Sequence, residues 1–109
     1  MHVAIIEYRL RPGLDAAYAE VAAHLHELVQ HIDGFVSVER FESIANPGTF
    51  VSVSYWRDEA AIKAWRDDME HKKGMAKGKR DIFAEYRIVI AHAVKDYDFK
   101  HKERAASAS

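Results

Sequence analysis

The residues best suited to chemistry are a histidine and several aromatic side chains. His71 follows Trp65 by six residues. Histidine is the side chain best suited to proton transfer near neutral pH, so His71 is a candidate acid–base residue. A position on a solvated helix surface is the alternative for His71. For Trp65, the alternative to a role in a pocket is core packing on an apolar stripe with Ile62 and Met69.

Chemistry based on metals is not predicted. The chain has no cysteine, which excludes thiolate nucleophiles, iron–sulfur clusters and Cys-based zinc sites. His24 and His31 lie seven residues apart on one predicted helix, ~10 Å along its axis, whereas ligand bonds to one metal ion are ~2 Å long. His24 and His26 lie ~200° apart around the same axis. We therefore predict no metal site.

Composition limits the class of protein and of partner. The chain has 109 residues, enough for one domain of ordinary size. Sixteen basic and seventeen acidic residues leave a net charge of −1, which argues against nucleic acid as a partner. No apolar run approaches the ~20 residues that span a bilayer. The apolar N-terminus is interrupted by Glu7 and Arg9, too early for a signal peptide, so we expect a cytoplasmic protein without a membrane partner.

Hydrophobic periodicity predicts four strands and two helices. Turn residues separate them, namely Pro12-Gly13, Asp33-Gly34 and Asn46-Pro47-Gly48. The second helix is expected to begin after an N-cap at Asp58 and to break near Gly74 and Gly78. The predicted strands are 3–10, 35–44, 50–56 and 85–97, and the first helix is 14–32.

The order β-α-β-β-α-β predicts an α+β, ferredoxin-like domain, in which both helices cover one face of an antiparallel four-stranded sheet. We assign residues 1–97 to this domain and residues 98–109 to a flexible C-terminal tail. The other face of the sheet would expose an apolar patch too large to leave in water. Burial against a second copy about a two-fold axis would cover it, so we predict a homodimer. The patch comprises Val3, Ile5, Val51, Val53 and Tyr55.

Several motifs occur in an order that resembles the antibiotic biosynthesis monooxygenase family. The main one runs from Ser54 to Arg66, with an aromatic-Trp pair, an acidic helix start and an Ala-Trp pair. Glu70-His71-Lys72 and then Gly78-Lys79 follow it. Upstream, Pro-Gly comes after the first strand and Gly-Phe opens the second. The resemblance covers roughly residues 3–97 and implies a dimeric α+β barrel with a cavity between each sheet and its helices.

The resemblance implies a cofactor-independent monooxygenase that oxidises a small phenolic or quinol-type aromatic substrate with O2. Such an enzyme must deprotonate the phenol, and it needs aromatic walls, a base and donors to the oxyanion. Trp56 matches the tryptophan that ends the third strand in polyketide-oxidising members, although Ser52 stands where those have an Asn. We assign catalytic roles to His71, as the base, and Trp65. Substrate-binding roles go to Trp56, Tyr8, Tyr86 and Arg87, for which strand packing or solvent exposure is the alternative.

Two other functions remain open. In the haem-degrading branch of the family, Trp65 would match the catalytic tryptophan and haem would be the cofactor. Tyr8, however, replaces that branch's Asn in the first strand, and His71 follows the tryptophan more closely than the haem ligand usually does. The third hypothesis is a non-catalytic dimer that binds a small ligand.

Overall fold

The elements form in the predicted order. The computed structural model describes the backbone of residues 1–71 and 82–101, and the side chains of 1–69 and 82–101. The structure confirms the predicted βαββαβ order. The elements are β1 (His2–Leu10), α1 (Asp15–Val29), β2 (Phe35–Glu42), β3 (Thr49–Trp56), α2 (Glu59–His71) and β4 (Phe83–His92).

The four strands form one antiparallel sheet in the order β2-β3-β1-β4. Residues directly opposite each other share a face, so the register places the side chains facing the helices in four rows. We call these the tryptophan row (Phe35, Trp56, His2, His92), the small-residue row (Val38, Ser54, Ala4, Ile90), the arginine row (Arg40, Ser52, Ile6, Ile88) and the tyrosine row (Glu42, Phe50, Tyr8, Tyr86).

The main core lies at the tryptophan row. Trp56 is 2 % exposed and meets Phe35 edge to face, with ring centroids 5.2 Å apart. Its indole Nε1 donates a 2.8 Å hydrogen bond to Ser54 Oγ, which satisfies a donor that water cannot reach. Ala61 and Ile62 of α2 complete this core, and Trp65 packs against it.

Helix α1 ends earlier than predicted: its last residue is Val29, whereas the predicted helix extends to Ile32. The backbone N–H groups of His31 and Ile32 bond to carbonyls only three residues back, so the last turn tightens into the loop. Gly34 then adopts a φ of 94°, and its carbonyl accepts a 2.7 Å bond from the backbone N–H of Arg57. This bond fixes the end of α1 to the start of α2.

The N-cap predicted for α2 is confirmed. Asp58 Oδ1 accepts a 2.9 Å hydrogen bond from the backbone N–H of Ala61. That bond, together with the neighbouring guanidinium of Arg57, lowers the pKa of the Asp58 carboxyl. The helix break predicted near Gly74 and Gly78 lies outside the described residues.

Two strands depart from the predicted pattern. In β2, Phe35 pairs with Trp56 while Ser37 pairs with Tyr55, so Val36 is the extra residue of a β-bulge. The bulge places Phe35 on the same face as Val38. The prediction of a last strand over 85–97 is wrong at both ends, since β4 runs from Phe83 to His92.

The early end of β4 has a simple cause. Its neighbour β1 begins at His2, which pairs with His92, and the last bond joins the Ala93 N–H to the Met1 carbonyl. From residue 94 to residue 101, the described chain has no strand beside it. Three apolar side chains there are more than four-fifths exposed: Val94, Tyr97 and Phe99.

The face of the sheet away from the helices has the composition that the sequence predicts. The register places Val3, Ile5, Val51, Val53 and Tyr55 on it together. Phe41, Val89 and Ala91 extend this open face. Within the described residues, neither helix is long and apolar enough to cross a bilayer.

Candidate functional site

The structure separates the predicted site residues into two groups. Tyr8 and Tyr86 lie directly opposite each other in the tyrosine row. Trp56 belongs to the tryptophan row, where Trp65 joins the same core. The two rows are six residues apart along β1, from His2 to Tyr8, a distance of ~20 Å at ~3.3 Å per residue. A small ligand therefore cannot contact Trp56 and the two tyrosines at once.

The other two predicted site residues belong to neither group. Arg87 is on the open face of the sheet, where its Nε donates to Glu7 Oε1 at 3.2 Å. Its guanidinium is therefore on the opposite side of the sheet from Tyr8. His71 is the last residue of α2, and its side chain lies outside the described part of the chain.

Aromatic rings cluster around Tyr8. Its centroid lies 5.2 Å from Tyr18 on α1, 5.6 Å from Phe50 and 5.2 Å from Phe83. Phe83 in turn lies 5.8 Å from Tyr86. We call these five residues the tyrosine cluster. Contacts of this kind add ~0.5–1.5 kcal/mol per pair beyond area burial, so the cluster stabilises this end of the helix side.

Two phenols meet inside this cluster. The Tyr18 hydroxyl donates a 2.6 Å hydrogen bond to the Tyr8 hydroxyl. Burial of the phenol holds the pKa of Tyr8 well above its usual range. Tyr8 is therefore protonated at neutral pH and acts as a hydrogen-bonding group rather than a base. The pair carries two phenolic protons, and the bond between them uses one.

A guanidinium adjoins the phenols. The Cζ atom of Arg40 lies 5.3 Å from the centroid of the Tyr18 ring, a cation–π geometry. The pKa of Arg40 is raised, first by hydrogen bonding to the Tyr18 hydroxyl. Among residues 1–69 and 82–101, no carboxylate lies within the 4.0 Å ion-pair distance of Arg40. Arg57, Lys63 and Arg87, by contrast, each have a carboxylate partner.

Apolar surface of β4 remains open beside the tyrosine cluster. Tyr86, Ile88 and Ile90 are 48 %, 44 % and 41 % exposed, although all three are on the helix side of the sheet. A groove of about 310 Å³ runs between Ile90 and the first turns of α2. The helix side therefore offers an accessible apolar floor that leads from α2 to the tyrosine row.

A second cleft, of about 350 Å³, is not part of this floor. Tyr8 and Tyr86 are among its lining residues, but the others belong to the open face: Glu7, Arg9, Thr49, Glu85 and Arg87. Strand alternation puts the two tyrosine rings on the other side of the sheet. Ligands in this cleft would not reach the phenol pair from that face.

Tyr18 of the cluster and Arg40 beside it were not among the predicted site residues. A signal for each was present: a phenol within an otherwise aliphatic stripe, and a cation at an inward-facing position of β2 two residues after Val38. Within the described residues, no three His, Asp or Glu side chains form a group able to hold a metal ion.

The βαββαβ order and the antiparallel sheet with helices on one face define a ferredoxin-like domain. Sequence comparison identifies its family. The chain belongs to the antibiotic biosynthesis monooxygenase family, whose model matches residues 1–77. A protein of Pyricularia oryzae named jasmonate monooxygenase is 32 % identical over 90 residues, which cover 83 % of this chain and 42 % of that protein. The chain thus spans less than half of that relative. An uncharacterized Bacillus subtilis protein is 29 % identical over 90 residues, 83 % of this chain and 77 % of its own length.

Solved structures share the fold. A cofactor-independent oxygenase from Streptomyces nogalater superposes with a TM-score of 0.72 at 15 % identity, covering 87 % of this chain and 94 % of that one. A Mycobacterium tuberculosis protein gives a TM-score of 0.70 at 16 % identity, covering 90 % of this chain and 100 % of that one. At these identities the likeness establishes the architecture alone.

Proposed function

We propose that this protein is a cofactor-independent monooxygenase that oxidises a small phenolic or quinol-type aromatic substrate with O2 on the helix side of its sheet. The observation that carries the proposal is the tyrosine cluster beside the exposed apolar floor of β4, in a chain whose family includes monooxygenases. Aromatic walls, hydroxyl donors and a cation are the groups that a phenolate substrate requires.

The substrate itself supplies the electrons in this reaction. A base removes the phenolic proton, and the electron-rich phenolate passes an electron to O2. One oxygen atom of O2 then bonds to a ring carbon that carries hydrogen, adjacent or opposite to the phenolic carbon, and that carbon loses its hydrogen. The second oxygen atom leaves as water, and the ring becomes a quinone. A phenol and one O2 thus give one quinone and one water, without an external reductant.

In this proposal His71 is the base, Trp65 assists catalysis, Tyr86 binds the ring, and the nearly buried Tyr8 reaches the substrate only through its hydroxyl. Trp56 is fully buried and its N–H is bonded to Ser54, so it supports the pocket from below rather than touching the substrate. Arg87, on the open face, is assigned to the pairing with Glu7 rather than to substrate.

Oxygen uptake tests the proposal. The purified protein is supplied with hydroquinones and naphthols, and O2 consumption and quinone absorbance are recorded. His71→Ala should lower kcat by about 10²-fold or more, the usual contribution of a general base, while the variant stays folded. His31→Ala, an exposed histidine beyond the end of α1, is the matched control.

Two results would replace this proposal. Loss of the Soret band after hemin and ascorbate are added in air would indicate haem degradation. Tight binding of phenols without O2 uptake would indicate a non-catalytic binding protein. If O2 uptake occurs and His71→Ala retains full activity, the reaction stands but His71 is not its base.

We further propose that the protein is a cytoplasmic homodimer joined through the open face. The support is the apolar area gathered there, together with the exposed aromatic rings of Tyr55 and Phe41, which are 39 % and 49 % exposed. Such a surface is typical of an interface between copies.

A further inference from the structure

We propose that Arg40, together with the hydroxyls of Tyr8 and Tyr18, binds an anionic oxygen on the ring-bearing ligand, a phenolate or a carboxylate. The inference rests on the proposed function in one respect: it assumes that the ligand enters between sheet and helices. It adds the group that would orient the ligand there.

The sheet register places Arg40 on the same face of the sheet as the apolar floor of β4. Arg40, Ser52, Ile6 and Ile88 form one row across all four strands. Arg40 is on the edge strand β2, yet its guanidinium lies over Tyr18, whose ring also contacts Tyr8 on β1. The side chain therefore extends from the sheet edge towards its centre, and its neighbour in the row on β3 is the small Ser52.

The charge on Arg40 lacks a carboxylate partner among the described residues, and the nearest acidic residue on the same face of β2 is engaged elsewhere. Glu42 Oε2 accepts a 3.0 Å bond from the backbone N–H of Gly48 in the hairpin turn. A guanidinium beside two phenols presents several N–H and O–H donors to one point. Because no carboxylate of the described residues lies at this point, a ligand anion can accept hydrogen bonds from the guanidinium there.

The identity of the anion follows from its surroundings. Ile88 and the Tyr86 ring next to the row offer apolar contact, so the anion belongs to a molecule with an apolar body. Inorganic anions would gain nothing from that floor. A phenolate and a ring carboxylate share the required chemistry, and separate probes distinguish them.

The test uses two probes that need no turnover. 4-Nitrophenol reports ionisation through the yellow colour of its phenolate, and benzoate binding is followed by calorimetry. Arg40→Ala should weaken binding of the preferred probe by about 10- to 100-fold, because a hydrogen bond to a charged group contributes ~1.5–3 kcal/mol. In the wild type, binding should also lower the pKa of bound 4-nitrophenol, and this shift should disappear in Arg40→Ala.

Matched variants distinguish anion binding by Arg40 from a general loss of positive charge. Arg9→Ala removes the same charge one residue from Tyr8, but Arg9 is on the open face and bonded to Thr49. Arg9→Ala should bind both probes as the wild type does. Tyr18→Phe keeps the ring under Arg40 and removes one hydroxyl, and a loss of several-fold is expected. Arg40→Lys keeps the charge and covers the case in which Arg40→Ala fails to fold.

The outcomes are distinct. Arg40-dependent binding of 4-nitrophenol alone assigns a phenolate, and of benzoate alone a carboxylate. Equal binding by wild type and Arg40→Ala overturns the inference, as does equal loss in Arg9→Ala or absence of binding by the wild type. Because no O2 is consumed in these assays, the anion site can stand while the proposed oxygenase activity fails, and the reverse.

Discussion

Replacing Gly34 by alanine should destabilise the protein more than any other Gly→Ala change in its described turns. Two costs add at this position. A φ of +94° is left-handed, which costs a residue with a Cβ ~1–2 kcal/mol. A new Cβ would also lie 2.7 Å from the Cβ of Ala61, which the α2 backbone holds in place. Overpacking of that kind costs ~1–3 kcal/mol, so we expect ~2–5 kcal/mol in total.

Gly13 provides the matched control. Its φ of +80° carries the same left-handed cost, but a Cβ there has no atom within 4 Å. Gly13→Ala should therefore lose only ~1–2 kcal/mol. The difference between the two variants isolates the steric contact at the junction of α1 and α2.

Urea unfolding followed by tryptophan fluorescence, at one fixed protein concentration, measures both variants. The double variant Gly34→Ala/Ala61→Gly removes the clash and should lose less stability than the sum of its two single changes, by ~1 kcal/mol or more. If Gly34→Ala is no less stable than Gly13→Ala, or if the two changes add independently, the packing described for this junction is wrong.

Three further outcomes are expected. Ser54→Ala leaves the buried N–H of Trp56 without its acceptor and should lower the free energy of unfolding by ~1–3 kcal/mol. The control Ser52→Ala, on the same strand, should lower it by less than ~0.5 kcal/mol. Equal losses of the two variants in urea unfolding would contradict this role of Ser54. Because the pKa of Asp58 is lower in the folded protein than in the unfolded chain, its charge stabilises the fold at pH values above the ordinary carboxyl pKa of ~3.9. This stabilisation is lost as the pH falls through the lowered pKa of Asp58 in the folded protein. Asp58→Asn retains a capping oxygen, so its stability gap to the wild type should narrow below about pH 4 in thermal melts, and a constant gap would refute the assignment. Val53→Lys puts a charge at the centre of the open face and should convert the proposed dimer to monomers in light scattering, while an unchanged mass would place the interface elsewhere.

Much of the fold was predictable from sequence because it depends on local patterns. Alternation in β1 and β3 identified the two faces, and Asp58 identified the start of α2. The end of β4 was not predictable in the same way. The alternation continues past His92, but a strand also needs a neighbour, and the pairing of β1 with β4 ends at His2 and His92.

The candidate site was harder to predict, because it depends on register between distant segments. Trp56 and Trp65 suggested a pocket by their type, yet one is buried with its N–H satisfied and the other packs against the same core. Arg40 approaches Tyr18 only because β2 is placed beside β3 after a bulge at Val36. Neither the bulge nor the crossing of α1 over the sheet is marked by a local motif.

The separation of the two aromatic ends has a consequence for how this protein can change over evolution. The tryptophan core and the tyrosine cluster each stabilise one end of the helix side, and the arginine row lies between them. Substitutions at Ser52 or Ile88 can therefore alter the size and polarity of the floor while both ends stay intact. Because the arginine row contributes little to either stabilising end, the floor of the helix side can change by substitutions that cost little stability.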